Sequence, residues 1–253
     1  MSVTAQWMAA GLLIAVGCAQ AAVPVAIPAP AGDAPTFTLL SEVDDPDLVL
    51  LVVLGGEGRV GLTEQSTTTR NQTAQMAQLL LRRELSPRRV DVVIIDSPVE
   101  LSPPRVRSEA AHLDRLESVV RYYRERFKRP VWLLGHSNGS ISVTEYLLKK
   151  QAATPVAGAV LSGSVYYINL ADGMNLPLLF LHHEEDGCRM TGFGQARRNY
   201  ETAKGYNRAV TEFAAVQGGQ EQGDPCRNGK HMYSGAYEDA ARRLADFLAR
   251  NTN

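Results

Sequence analysis

From Thr36 onward the hydrophobic residues of this chain fall into two alternating patterns. Short runs rich in Val, Ile and Leu occur at 48–54, 90–95, 131–134, 156–161, 176–181 and 210–216, with the length and composition of strands buried on both faces of a sheet. Between them apolar positions recur at helical spacing. Residues 71–83 align Met76, Leu79 and Leu80, residues 108–127 align Leu113, Leu116, Val120, Tyr123 and Phe127, and residues 236–250 align Tyr237, Ala240, Leu244, Phe247 and Leu248. A further helix is expected at 195–204. Strands alternating with helices predict an α/β fold, a mostly parallel central sheet covered by helices on both faces. The last helix should pack the chain end onto that sheet. No internal repeat is visible, and 253 residues of which 45% are hydrophobic suit one domain with a sizeable core.

Ahead of Thr36 the pattern changes. Residues 7–17 are an apolar run too short to cross a bilayer and of the right length for the core of a secretory signal. Two processing readings compete. Ala19-Gln20-Ala21 is a small-x-small cleavage site that makes 1–21 a signal peptide, whereas Ala15-Val16-Gly17-Cys18 resembles a bacterial lipobox, which would leave Cys18 lipidated as a membrane anchor. Both lack a cationic start, since residues 1–6 hold no Lys or Arg. Residues 22–35, rich in Ala and Pro, read as a linker. The expectation is an exported protein: periplasmic, membrane-anchored or secreted. Cysteine usage agrees, because Cys188 and Cys226 remain as a pair once Cys18 is set aside. A disulfide between them is predicted, with two free buried thiols as the alternative. A net charge of −1 and no long basic run exclude nucleic acid as the principal partner.

The candidate chemistry centres on Gly135-His136-Ser137-Asn138-Gly139, which follows the apolar run 131–134 and precedes the helix-compatible segment 140–148. A serine on a sharp strand-to-helix turn, with a glycine two residues to either side, is a nucleophile elbow: the glycines let strand and helix approach and leave the hydroxyl exposed. Two further landmarks follow. The run 178–183 ends at Glu184, Glu185 and Asp186, and Gly229-Lys230-His231-Met232 lies ahead of the last helix.

Elbow, acid and histidine in this order resemble the α/β-hydrolase fold enzymes, and the resemblance covers roughly residues 36–253. It implies Ser137 as nucleophile, His231 as the base that takes its proton, and a carboxylate that fixes the imidazole tautomer and stabilises the imidazolium. Asp186 is assigned to that role, with Glu184 and Glu185 as alternatives. It also implies backbone N–H donors for a developing oxyanion. Asn138 supplies the first; the second comes from Gly56 or Glu57, in a loop with Gly55 where the family often has His. The Glu57 side chain is expected to face solvent. A bridge from Cys188 to Cys226 would tie the acid loop to the histidine loop.

Neither a metal nor a cofactor is implied. Adjacent His182 and His183 lie on opposite faces of a strand, and no H-E-x-x-H spacing occurs. Only residues 163–175 separate two neighbouring strands, so no sizeable lid is expected. The implied function is a serine hydrolase cleaving carboxylic esters or thioesters of small molecules through an acyl-serine intermediate. The alternatives are a peptidase or acyltransferase using the same triad, or a non-catalytic binding domain of this fold. No protein partner can be inferred.

Overall fold

The structure, a computed structural model of the chain, describes residues 22–29, 33–170 and 172–252. Eight strands form one sheet: β1 (Val23–Ile27), β2 (Thr36–Ser41), β3 (Leu48–Val53), β4 (Val90–Asp96), β5 (Val131–His136), β6 (Gly158–Ser162), β7 (Leu178–His183) and β8 (Thr211–Val216). The helices are α1 (Gln72–Gln78), α2 (Ala110–Phe127), α3 (Gly139–Lys149), α4 (Phe193–Tyr206) and α5 (Tyr237–Asn251). The strand order is β1-β2-β4-β3-β5-β6-β7-β8. From β4 to β8 every pairing is parallel, and β1 and β2 extend the sheet antiparallel at one edge.

Two apolar layers sandwich the sheet. Alternate residues of β3, Val49, Leu51 and Val53 against Leu48, Leu50 and Val52, feed opposite layers, as period-two geometry requires. One layer packs α2, α3 and α4, with Leu113, Val120, Tyr146 and Ala203. The other packs α1 and α5, with Met76, Leu244, Phe247 and Leu248. Trp132 of β5 meets Phe247 edge-on at 5.8 Å, which docks the C-terminal helix.

All six expected strands are present, with ends shifted by up to two residues. The reading of 22–35 as a linker is corrected in part: residues 23–27 form the edge strand β1, paired with β2. Pro24 is tolerated there because an edge strand need not donate on its outer side. The expected helix 71–83 is shorter, since α1 gives way to a 3-10 turn at Leu79–Leu81. Residues 1–21, including the expected signal segment and Cys18, lie outside the described residues. Among the described residues no helix is long and apolar enough to cross a membrane. The connection from β6 to β7, residues 163–177, holds no helix among its described residues.

The chain order places a crevice. From β3 the chain crosses to β4 on one side, then returns past β3 to β5 on the other. Loops leaving the carboxyl ends of β3 and β5 therefore diverge, and such a switch point is where open α/β sheets bind ligands.

Candidate active site

Ser137 sits at this crevice, directly after β5. Its φ is +53°, a left-handed conformation that costs a non-glycine residue on the order of 1 kcal/mol and persists only where surroundings enforce it. Those surroundings are explicit. The Ser137 N–H donates to Ser162 O at 2.9 Å, and its carbonyl accepts from Ser140 N at 2.9 Å and Ser140 Oγ at 2.6 Å. The two elbow glycines are there for close approach. A Cβ on Gly135 would lie 2.5 Å from Gly139 O, and one on Gly139 would lie 2.2 Å from Val53 O. The same holds for Gly55, whose Cβ would lie 2.8 Å from Ser137 Cβ. The loop after β3 thus runs against the serine, and the histidine common at this place in related loops would not fit.

His231 lies in a 3-10 turn, Gly229–Met232, and is fully buried together with Asp186, their side chains 0% and 1% exposed. Its Nδ1–H donates to Asp186 Oδ2 at 2.8 Å. Thr191 Oγ1 donates to the same oxygen at 2.9 Å, and the Cys188 N–H donates to Asp186 Oδ1 at 2.8 Å. His182 Nε2 stands 3.2 Å from Asp186 Oδ2, without the angle of a hydrogen bond. Burial alone would raise the Asp186 pKa. The contacts with His182 and His231 outweigh it and hold the carboxyl well below its ordinary range, so it is ionised at neutral pH. With Nδ1 protonated, His231 presents a bare Nε2, which is buried and has no hydrogen-bond partner among the described residues.

Of the three acids weighed from sequence, Asp186 alone reaches His231. Glu184 accepts from Gln217 and Glu185 pairs with Lys230, both on the surface. The expected disulfide is present between Cys188 and Cys226. It joins the loop carrying Asp186 to the turn that leads into His231. His182 and His183 leave β7 on opposite faces: His182 faces Asp186, and His183 Nε2 donates to Gly218 O at 2.7 Å. Among the described residues no group of three or more His, Cys, Asp or Glu side chains is arranged to hold a metal.

The N–H groups of Asn138, Gly56 and Glu57 make no hydrogen bond among the described residues. Asn138 is the N-cap of α3, whose N-terminal dipole favours negative charge there. The Glu57 side chain points outward, 62% exposed and 3.3 Å from Arg59.

Four contributors were not foreseen. Thr191, fully buried, braces the Asp186–His231 pair. Asp96, at the end of β4, accepts from the N–H groups of Val60 at 2.6 Å and Leu62 at 2.7 Å and so shapes the loop after β3. Its place at the carboxyl end of a strand was the available signal. His136 is fully buried 4.8 Å from the His231 ring, with Nδ1 3.0 Å from Ser162 Oγ. Burial, with His231 adding to it, keeps His136 neutral. Arg107 is buried beneath the Gly55–Gly58 loop.

The connectivity, the strained serine after β5 and the acid after β7 decide the architecture. The chain has the α/β-hydrolase fold. Solved structures agree. It is similar to an α/β serine hydrolase without lid from Xanthomonas campestris, at 14% identity over 91% of this chain and 94% of that one, with a TM-score of 0.56. A dienelactone hydrolase from Anabaena variabilis is 12% identical over 92% and 100%, with a TM-score of 0.63. An esterase from Pyrococcus furiosus is 12% identical over 93% and 92%, with a TM-score of 0.65. No family model matches the chain, and no curated protein matches it in sequence. At such identities the likeness carries the α/β-hydrolase fold and leaves the substrate to the site itself.

Proposed function

We propose that the protein is an exported serine hydrolase that cleaves carboxylic esters or thioesters through an acyl-serine intermediate. One observation carries the reading: a serine held at φ +53° directly after His136, whose ring lies 4.8 Å from that of a buried His231 with its Nδ1 committed to an ionised aspartate and its Nε2 unpartnered. Ser137 Oγ and His231 Nε2 are not hydrogen-bonded in this structure, a looseness common before substrate binds.

In the proposed reaction Ser137 Oγ attacks the carbonyl carbon while His231 Nε2 takes the hydroxyl proton. Asp186 keeps the tautomer and stabilises the imidazolium. The oxyanion is met by the Asn138 N–H and by an N–H of the Gly56–Glu57 turn. Collapse of the tetrahedral intermediate breaks the ester bond, and the leaving oxygen or sulfur takes the proton back from His231. Water then attacks the acyl-serine with His231 again as base, which releases the acid and restores Ser137. The short connection between β6 and β7, residues 163–177, favours accessible small esters. The short apolar run at residues 7–17 and the disulfide support export.

The test is intact mass after treatment with a fluorophosphonate. A single adduct on the wild type that is absent from Ser137→Ala is expected. No adduct on folded wild-type protein would favour a binding role for the fold and refute the activated serine.

A further inference from the structure

Arg107 has no exposed surface, and no ion pair joins it to a carboxylate among the described residues. Burying a guanidinium without an anion is costly, and its donors must then be met by neutral acceptors. Nε donates to Leu101 O at 3.0 Å, Nη1 to Ser142 Oγ at 3.0 Å and Nη2 to Gly56 O at 2.9 Å. Burial pushes its pKa down to about 10, which leaves it protonated at neutral pH. Ser142 Oγ, accepting from Arg107, is 2.9 Å from His112 Nε2 and has its own proton to give. Burial, then the charges of Arg107 and Arg115, push the His112 pKa down to about 4, so that ring is a neutral acceptor. The cation therefore stands inside a shell of neutral groups.

Its most consequential acceptor is Gly56 O. Residues 55–58 form a turn closed by the Gly58 N–H on Gly55 O at 2.9 Å, with Gly56 at φ +51°. In a trans peptide the carbonyl of one residue and the N–H of the next point in opposite directions. Gly56 O points to the buried guanidinium, so the Glu57 N–H points the opposite way, away from Arg107. The next peptide is held as well: Glu57 O accepts from the Leu101 N–H at 2.9 Å, and Leu101 O accepts from Arg107. Both peptide planes flanking Glu57 are thus pinned by one side chain, directly and through Leu101, and the Glu57 N–H is left free.

We infer that Arg107 is a positioning residue for the oxyanion site, aiming the Glu57 N–H as its second donor; this rests on the hydrolase reading above. The cation also polarises the Gly56–Glu57 peptide, which strengthens that N–H as a donor to developing negative charge.

The test compares wild type, Arg107→Lys, Arg107→Gln and Ser142→Ala on p-nitrophenyl acetate, with folding checked by circular dichroism and thermal melting. Lysine keeps the charge and cannot satisfy three separated acceptors. Both Arg107 variants are expected to lose about 10²-fold in kcat with KM within about threefold, the signature of an interaction made only in the transition state. Affinity for a trifluoromethyl ketone, which forms a tetrahedral oxyanion on Ser137, should fall in parallel. Ser142→Ala leaves the bond to Gly56 O intact and should keep kcat within about threefold even where its melting temperature drops. Should the glutamine variant not fold, the lysine variant carries the comparison. If folded Arg107→Lys keeps its kcat, or if Ser142→Ala loses as much as Arg107→Lys, the role assigned to Arg107 is overturned and the hydrolase reading stands. A wild type with neither turnover nor a fluorophosphonate adduct overturns both.

Discussion

Removing the Cys188–Cys226 bridge should cost stability first and turnover second. The two cysteines are 38 residues apart in sequence, and closing a loop of that length removes roughly 4 kcal/mol of unfolded-chain entropy at 25 °C. For a domain of this size that corresponds to a fall in melting temperature of about 8–16 °C. Cys226 is exposed and Cys188 is buried, so a reductant can attack from the Cys226 side without unfolding the protein. The assay is thermal melting of the wild type with and without a phosphine reductant, beside the double variant Cys188→Ala/Cys226→Ala.

The geometry of the site limits the effect on rate. Asp186 keeps its bonds from the Cys188 N–H and Thr191, neither of which needs the sulfur. The histidine turn keeps the Ser234 N–H on Gly229 O at 2.9 Å, the Gln220 N–H on Ser234 O at 2.8 Å and the Lys230–Glu185 pair. Per folded molecule at 25 °C, kcat should therefore fall by no more than about tenfold, well short of the loss of a triad member. A melting shift under about 3 °C would refute the entropic reasoning, because the segment between the cysteines would then be constrained by other means. A loss of three orders of magnitude in kcat at unchanged stability would show that the bridge itself holds the catalytic geometry.

Asp186→Asn should lower kcat by about 10³–10⁴-fold by favouring the wrong imidazole tautomer, while Glu184→Gln and Glu185→Gln stay within about threefold; comparable losses at either glutamate would displace Asp186. Far from the site, Asp91 of β4 has no exposed surface and, among the described residues, accepts only from the Val43 N–H at 2.8 Å. Burial raises its pKa from 3.8 to about 6. A carboxyl with a raised folded pKa stabilises the fold while protonated, fully below about pH 4, and loses that contribution as pH rises through about 6. Denaturant unfolding should therefore show Asp91→Asn gaining about 2 kcal/mol on the wild type between pH 4 and pH 8; a difference that does not change with pH would contradict this.

The parallel strands β3 to β7 were legible because burial on both faces makes them largely apolar runs that need no partner to be recognised, whereas β8, at the sheet edge, is half-buried along most of its length. β1 and β2 were not. Pro24 and the alanines around it look like a linker until β2 supplies the neighbour that makes Val23–Ile27 a strand. At the site, the order of serine, acid and histidine was readable, and Asp186 was preferred to Glu184 and Glu185 without a local feature that excluded them. β7 ends at His183, and the chain then turns, with the Asp186 N–H on His183 O at 3.2 Å, which carries the third acid back under the sheet edge and leaves the first two outside. Thr191 and Arg107 were invisible for a related reason. Each acts through a contact 35 to 51 residues away or across a loop, and nothing in their local pattern distinguishes them from surface polar residues.

Asp91 apart, several unfavourable features of this molecule are gathered at one end of the sheet. A serine in left-handed geometry, an ionised aspartate with a side chain 1% exposed, a fully buried guanidinium without a counter-charge and the buried histidines His112, His136, His182 and His231 all lie near the carboxyl ends of β3 to β7. Each would be destabilising alone. The rest of the sheet is apolar on both faces and closed by α5 through Trp132 and Phe247, and that core supplies the stability the site consumes. Local consistency fails where residues do something other than fold. The concentration of such failures around Ser137, rather than any single residue, is what supports the proposed active site there.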